Sequence, residues 1–144
     1  MNVTFIMAAC RLLLGLVFLA ASAHKILDPE AFAMSIYQYQ LLPESLVNGL
    51  AITLPWIELV AGIAIIASAR LKDGAALLML FMLGVFAIAI RINLVRGLDI
   101  SCGCFSAAGD DVIGWGYVFR NLGYMFLALV ILCEKQVHAL LALK

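Results

Sequence analysis

Four long apolar segments alternate with short polar segments along the chain. The apolar segments cover about residues 3 to 26, 50 to 69, 74 to 95 and 115 to 133. Each approaches the roughly 20 residues that an α-helix needs to cross a bilayer. Because main-chain polar groups must be satisfied internally in lipid, each segment is predicted to be a transmembrane helix. The predicted fold class is an all-α membrane protein, a four-transmembrane-helix bundle.

The first polar connection, "LDPEAFAMSIYQYQLLPES", is predicted to contain a short interfacial helix after the first span. Asp28 is a suitable N-cap, and Pro29 follows at the first helical position. Phe32, Ile36 and Tyr39 then share one face, which is typical of a helix that lies in the membrane interface. A plain amphipathic connector is the alternative, and the two interpretations are compatible.

Composition agrees with a membrane protein and leaves no room for a separate soluble domain. Of the 144 residues, 66% are hydrophobic and 12% are charged. A soluble domain is about half apolar and about one quarter charged. We therefore expect one transmembrane domain over residues 1–144, in contact with lipid. The formal net charge is +0, which gives no indication of a nucleic-acid partner.

Lysine and arginine residues in short connections indicate which side of the membrane each connection occupies. Arg70 and Lys72 lie between the second and third spans, and Lys135 and Lys144 lie in the C-terminal tail. The opposite side is acidic, through Asp28, Glu30, Glu44, Asp99, Asp110 and Asp111. We therefore expect a multi-pass protein of the bacterial inner (cytoplasmic) membrane, with both termini cytoplasmic and the Cys-Gly-Cys loop periplasmic.

Five ionisable side chains lie towards the periplasmic ends of the predicted spans: His24, Lys25, Glu58, Arg91 and Arg120. Charged groups inside a bilayer are costly, and they usually face the bundle interior or a polar cavity. Helical spacing places the charges on stripes that also carry small residues, which permit close helix packing. We therefore expect the charges to face inwards.

This cluster contains more cations than anions. Glu58 could pair with Lys25, Arg91 or Arg120 and simply hold the bundle together, which is the structural alternative. One carboxylate cannot neutralise three cations, so the surplus favours an anionic or carbonyl-bearing partner, such as a thiolate or a quinone oxygen. A quinone cofactor is one hypothesis for this partner, and Lys25, Arg91 and Arg120 would stabilise the thiolate or the quinone anion. Glu58 would orient them or carry a proton, and His24 would relay protons.

The remaining candidate chemistry lies in "RINLVRGLDISCGCFSAAGDD", at residues 91 to 111. Cys102 and Cys104 stand one residue apart in a loop predicted to face an oxidising compartment, where disulfides persist. A disulfide between them would close a very small ring and add little stability. Strained and exposed disulfides tend to be labile or catalytic. A redox role is therefore favoured over a structural one.

A metal site is the alternative for these cysteines. Two thiolates could bind a soft ion such as Cu(I), whereas a zinc site needs four ligands. His24 is the only histidine predicted on the periplasmic side, and no further cysteine is predicted there. No complete metal site is expected from this chain, and two-coordinate copper stays open.

Four stretches of the sequence, in order and at the expected spacing, resemble the MauE/DoxX-like family of small four-helix membrane proteins. They are "RLLLGLVFLAASAHKILDPEAF", "LPWIELVAGIAII", "RINLVRGLDISCGCF" and the pair Arg120-Asn121. The Cys-Gly-Cys-Phe element resembles the methylamine-utilisation (MauE) branch in particular. The chain departs from the pattern at His24, where related sequences often have a small residue.

The resemblance implies a role in maturation of methylamine dehydrogenase, whose small subunit has many disulfides, beside a periplasmic thioredoxin-like partner. DoxX-like relatives imply quinone-coupled sulfur oxidation, and the architecture is similar to thiol–quinone enzymes of the vitamin K epoxide reductase and DsbB type.

Our hypothesis is a quinone-linked membrane thiol–disulfide oxidoreductase. It would exchange disulfides through Cys102 and Cys104 with a periplasmic thioredoxin-like or disulfide-containing protein. Two alternatives stay open: a non-enzymatic membrane assembly or maturation factor, and a soft-metal (copper) binding protein.

Overall fold

Five α-helices make up the part of the chain that the computed structural model describes, residues 3–97 and 114–134. They are α1 (Val3–Leu27), α2 (Pro29–Gln38), α3 (Glu44–Ala67), α4 (Lys72–Arg96) and α5 (Trp115–Leu132). All except α2 are long and apolar enough to cross a membrane, which confirms the predicted four-span helical fold. The ten-residue α2 lies where the short helix was predicted.

The third helix begins earlier than the second predicted span. It starts at Glu44, directly after Pro43, rather than near Leu50. Hydropathy identifies only the part of a helix that lies in hydrocarbon, so the polar first turns of α3 were not predicted to be helical. Glu58 follows Glu44 by 14 positions, about 21 Å along the helix axis. The carboxylate therefore lies about four helical turns from the start of α3.

Residues 98–113 join α4 to α5 and are called the α4–α5 link. The helix before the link ends at Gly97, which has a φ of 68°. This left-handed conformation is a common helix stop, and glycine adopts it without steric cost. The end of the bundle at which α4 ends and α5 begins is called the link end. Because successive spans are antiparallel, α1 also ends and α3 also begins there.

The helix α2 is fixed at its start by the predicted cap. A side-chain oxygen of Asp28 accepts a hydrogen bond from the main-chain N–H of Ala31 at 3.0 Å, and Pro29 occupies the first turn. Phe32 and Tyr39 are buried, so this face packs on the bundle. The cap therefore sets where the chain turns from α1 into α2.

Asp28→Ala is expected to lower the free energy of unfolding by about 1 kcal/mol, because α2 loses its side-chain cap. Thermal unfolding of the purified protein in detergent, followed by circular dichroism, measures the change. Asp28→Asn keeps a capping oxygen and is expected to match the wild type. Equal losses in the two variants would show that the carboxylate charge matters and the cap does not.

The helices α1 and α3 pack most closely of all, around Gly15 and Gly62. A Cβ atom on Gly15 would lie 2.4 Å from Cγ1 of Ile66 and 3.1 Å from the carbonyl oxygen of Gly62. Small residues let transmembrane helices approach in this way. This seam continues into a core formed by Leu14, Phe18, Ala61, Ile65, Ala75, Ala76, Met79, Leu83, Ala128 and Ile131.

Two polar features stabilise the end of the bundle opposite the link. The guanidinium of Arg11 donates to the carbonyl oxygens of Ile65 at 2.9 Å and Ile66 at 3.3 Å. These carbonyls belong to the last turn of α3, where no helical N–H remains to bond them. Lys72 of α4 also forms an ion pair with Glu134. Arg11 therefore satisfies a helix terminus at this end.

The predicted inward faces are correct for α1 and α3 but not for α4, and on α5 Arg120 is exposed although it was expected to face inwards. On α1, Ser22 and Lys25 are buried, and on α3 Pro55 and Glu58 are buried. On α4, however, Arg91 is exposed, and the buried stripe consists of Met79, Leu83, Ile90 and Asn93. A cation near a helix end can reach the head-group region, so its presence does not fix which face is buried.

Candidate functional site

A cavity of about 420 Å³ lies in the half of the bundle nearer the link, and all five helices contribute to its walls. We call it the outer cavity. Its surface is mainly apolar, and seven of its lining residues are aromatic: Phe18, Phe32, Tyr39, Phe81, Phe86, Tyr117 and Tyr124. Pockets of this volume, apolar with a few placed polar groups, are typical of small-molecule sites.

One wall of the outer cavity carries the ion pair of Lys25 and Glu58. The ammonium of Lys25 donates to both carboxylate oxygens, at 2.7 and 2.8 Å. The two side chains are only 8% and 10% exposed. Nζ of Lys25 also lies 4.8 Å from the ring centroid of Phe32, a distance at which a cation is attracted to an aromatic face.

Local geometry explains why these two side chains meet although their helices run in opposite directions. Side chains on a helix lean towards its N-terminus. Lys25 stands two positions before the end of α1 and leans into the bundle, whereas Glu58 leans towards the link end. Of the three partners weighed for Glu58 from the sequence, the structure pairs it with Lys25, and this pair faces the cavity.

The wall from α5 carries a second polar group. Cζ of Arg120 lies 4.6 Å from the ring centroid of Tyr117, and both residues line the cavity. Next to them, the side-chain amide of Asn121 donates to the carbonyl oxygen of Leu83 at 2.7 Å. This buried hydrogen bond joins α5 to α4 and fixes the rotation of α5, which places Arg120 at the cavity.

The described lining residues carry two cations and one anion, namely Lys25, Arg120 and Glu58. The predicted surplus of positive charge is therefore present at the cavity, with one excess charge instead of two. Arg91 is exposed and does not line the cavity, and the same is true of His24. The structure thus brings together three of the five ionisable residues selected from the sequence and leaves these two outside.

The predicted redox pair, Cys102 and Cys104, lies outside the described residues. Connectivity alone relates the pair to the cavity, since the α4–α5 link leaves from Gly97 and returns at Gly114. Both attachment points are at the end of the bundle where the outer cavity lies. Within residues 3–97 and 114–134, no group of three His, Cys, Asp or Glu side chains could hold a metal ion.

Sequence reasoning missed three of the seven aromatic residues that line the outer cavity. Tyr117 was not selected, although its spacing to Arg120, Asn121 and Tyr124 places all four on one helical face. Phe81 and Phe86 of α4 were also missed, because an aromatic residue in a transmembrane helix is not distinctive. The usable signal was the combination on α5 of two tyrosines with an arginine and an asparagine.

Comparison with known proteins gives a consistent relationship. The family model described as "Methylamine utilisation protein MauE" matches residues 3–134. The chain is similar to "Methylamine utilization protein MauE" of Paracoccus denitrificans, with 34% identity over 124 residues, covering 85% of this chain and 66% of the relative. The protein of that name from Methylorubrum extorquens is 34% identical over 126 residues, covering 87% and 65%. That from Methylophilus methylotrophus is 35% identical over 123 residues, covering 83% and 64%.

The chain thus spans about two thirds of the length of these relatives, with 66%, 65% and 64% of them covered. No solved structure matches the chain significantly.

Proposed function

This chain belongs to the MauE family of membrane proteins, and we propose that it is a thiol–disulfide oxidoreductase of that family, linked to quinone. Cys102 and Cys104 are the proposed exchanging pair. The outer cavity is the proposed quinone site, and Lys25, Glu58 and Arg120 are the residues proposed to bind the quinone. Its relatives are named for methylamine utilisation, and we extend that role to this chain.

The observation that carries the proposal is the outer cavity itself. It combines an aromatic, apolar wall with a buried ion pair and an arginine, at the end of the bundle to which the α4–α5 link is attached. An aromatic wall suits a flat ring, and the ammonium and guanidinium suit carbonyl oxygens that gain negative charge. When bound, a quinone supplies an acceptor of two electrons and two protons.

The residues of this chain have distinct proposed roles. The thiolate of a partner dithiol attacks a Cys102–Cys104 disulfide, and the resulting mixed disulfide resolves to leave the partner oxidised and the pair as a dithiol. Lys25 and Arg120 stabilise the negative charge on the oxygens of a ligand in the cavity. Glu58 orients the ammonium of Lys25 and is the one carboxyl among the described lining residues that can hold a proton.

The proposed setting follows the charge asymmetry of the connections. The α4–α5 link faces the periplasm, both termini are cytoplasmic, and the membrane is the bacterial inner membrane. The proposed partner is a periplasmic thioredoxin-like protein or a disulfide-containing substrate protein. The oxidising compartment supports this assignment, since disulfides persist there.

The test is quinone reduction by the purified protein with a reduced thioredoxin-like dithiol as donor. Cys102→Ser and Cys104→Ser are each expected to abolish turnover, because a disulfide within the pair can no longer form. One of the two is also expected to trap the partner as a mixed disulfide, visible on a non-reducing gel. Cys10→Ser, which changes a cysteine packed in the bundle core, is the matched control and should retain full turnover.

Retention of function by both serine variants in cells would reject the thiol chemistry, redox and copper alike, and would leave a non-enzymatic assembly factor. Copper that co-purifies with the reduced protein, without quinone reduction, would instead favour the soft-metal alternative.

A further inference from the structure

We propose that the outer cavity opens sideways into the bilayer between α3 and α4, and that its ligand carries an apolar tail that leaves through this opening. The inference rests on the proposed quinone-linked function and adds the ligand class, a ring with a long hydrocarbon tail. We call this feature the lateral opening, and its rim is formed by Leu42, Leu50, Leu54, Phe81 and Val85.

The strongest observation concerns α4. Phe81 and Val85 line the cavity, and they are also 68% and 52% exposed. A side chain that faces both an internal cavity and the surroundings marks an edge of that cavity. These two residues lie on the side of α4 opposite Leu83, whose carbonyl accepts from Asn121 of α5. The edge therefore lies on the side of α4 that is turned away from α5.

The opposite side of the lateral opening is formed by α3 and the connection before it. Leu50 and Leu54 stand one helical turn apart, line the cavity and are partly exposed. Leu41 and Leu42, between α2 and α3, also line it and are exposed. The described rim is therefore apolar on both sides, as suits contact with acyl chains.

Depth identifies what the lateral opening faces. Phe81 follows Lys72 by 9 positions and precedes Arg96 by 15. It therefore lies about 13 Å from one end of α4 and about 22 Å from the other. Since the hydrocarbon core is about 30 Å thick, this is the depth of lipid tails rather than of water. A ligand that reaches the polar residues by this route must dissolve in the bilayer.

The charges inside the cavity identify the other part of the ligand. Lys25, Glu58 and Arg120 lie in the cavity that ends at the lateral opening. A carbonyl oxygen of the ligand can accept hydrogen bonds from the ammonium of Lys25 and the guanidinium of Arg120, which a purely hydrocarbon ligand cannot do, and a phospholipid head group belongs at the membrane surface. A compact carbonyl-bearing ring with one long apolar tail satisfies the polar wall and the apolar opening together.

The experiment measures equilibrium binding, without turnover, of two labelled quinones to the protein in lipid nanodiscs. One quinone has no tail and the other has a two-isoprene tail. The ratio of the two affinities is compared between variants in identical nanodiscs, so that partition into lipid cancels. In the wild type we expect the tail to improve affinity, and Val85→Trp should reduce this advantage about tenfold, which is about 1.4 kcal/mol. Affinity for the tail-less ring should stay within about twofold of wild type.

Leu54→Trp, on the other side of the opening, should have the same effect and serves as the second variant. Ile88→Trp is the matched control, because Ile88 is 62% exposed on the same helix but does not line the cavity. It should bind both quinones as the wild type does.

Several outcomes would overturn the inference. An unchanged affinity ratio in both Val85→Trp and Leu54→Trp would reject the lateral opening while leaving the proposed quinone site intact. An equal loss of affinity for both quinones would show that the substituted side chains affect binding of the ring and not of the tail. No tail advantage in the wild type would mean that the phospholipid of the nanodisc fills the opening. Failure of the wild type to bind either quinone would reject the proposed function as well.

Discussion

Lys25→Met is expected to lower the free energy of unfolding by about 3 kcal/mol or more, because it leaves a buried carboxylate unpaired. Both oxygens of Glu58 accept hydrogen bonds from Lys25. The carboxylate stands 14 positions from the first residue of α3 and 9 from the last. Glu58 is only 8% exposed, so bulk water does little to replace the lost partner.

The reverse substitution, Glu58→Gln, is expected to cost much less, about 1 kcal/mol. Lys25 stands two residues before the end of α1, and its long apolar stem allows the ammonium to extend towards the head groups. The glutamine amide can still accept a hydrogen bond from it. The two halves of one ion pair therefore differ in stability effect because only one of them can reach the interface.

Unfolding in detergent, followed by the fluorescence of Trp56 and Trp115, measures these differences. His24→Met changes the exposed neighbour of Lys25 and is the matched control, with no expected loss. The double variant Lys25→Met, Glu58→Leu removes both charges and should recover most of the stability. A loss for Glu58→Gln as large as that for Lys25→Met would contradict the proposed asymmetry.

Gly15→Ala is expected to destabilise the protein by about 2 kcal/mol, because α1 and α3 are in contact at this position. The added methyl group would lie 2.4 Å from Cγ1 and 2.6 Å from Cδ1 of Ile66, and 3.1 Å from the carbonyl oxygen of Gly62. The isoleucine side chain can turn away, but the main chain of α3 can yield only by separation of the two helices.

A double-mutant cycle with Ile66→Ala separates these contributions. In that background the two closest atoms are absent, and the cost of Gly15→Ala should fall by half or more. Gly123→Ala, on α5, is the matched control, since a Cβ atom there meets nothing within 4 Å, and alanine should be neutral or slightly stabilising. If Gly15→Ala lowered the free energy of unfolding equally with and without the Ile66 side chain, the steric conflict would lie with the main chain of α3 alone.

The sequence predicted most of the fold, because hydropathy alone determines where a helix can cross a bilayer. The four spans and the helix α2, with its cap at Asp28, are confirmed. The inward faces of α1 and α3 were also predicted correctly, since a charge deep in a span must face the bundle interior, where Lys25 and Glu58 pair. The start of α3 was not, because its first turns lie beyond the apolar segment.

The candidate site was predicted only in part, and the reason is the position of each charge along its helix. Glu58 is deep, so burial and pairing are enforced. Arg91 is five residues from the end of α4, where an exposed cation is tolerated, and spacing with small residues did not fix its direction. The outer cavity depends on the gap that five helices leave between them, which no single stretch encodes. The role of Cys102 and Cys104 stays a prediction.

Pro55 lies buried inside α3, one turn before Glu58 and next to Leu54. Because proline has no N–H, the carbonyl of Ala51 has no helical partner across this turn. The proline therefore divides α3 into a segment that borders the lateral opening and a segment that holds the ion pair. A bend of α3 at Pro55 sacrifices one main-chain hydrogen bond fewer than a bend elsewhere in the helix, so this is the position at which α3 changes its angle at the lowest cost, beside a residue that borders the lateral opening.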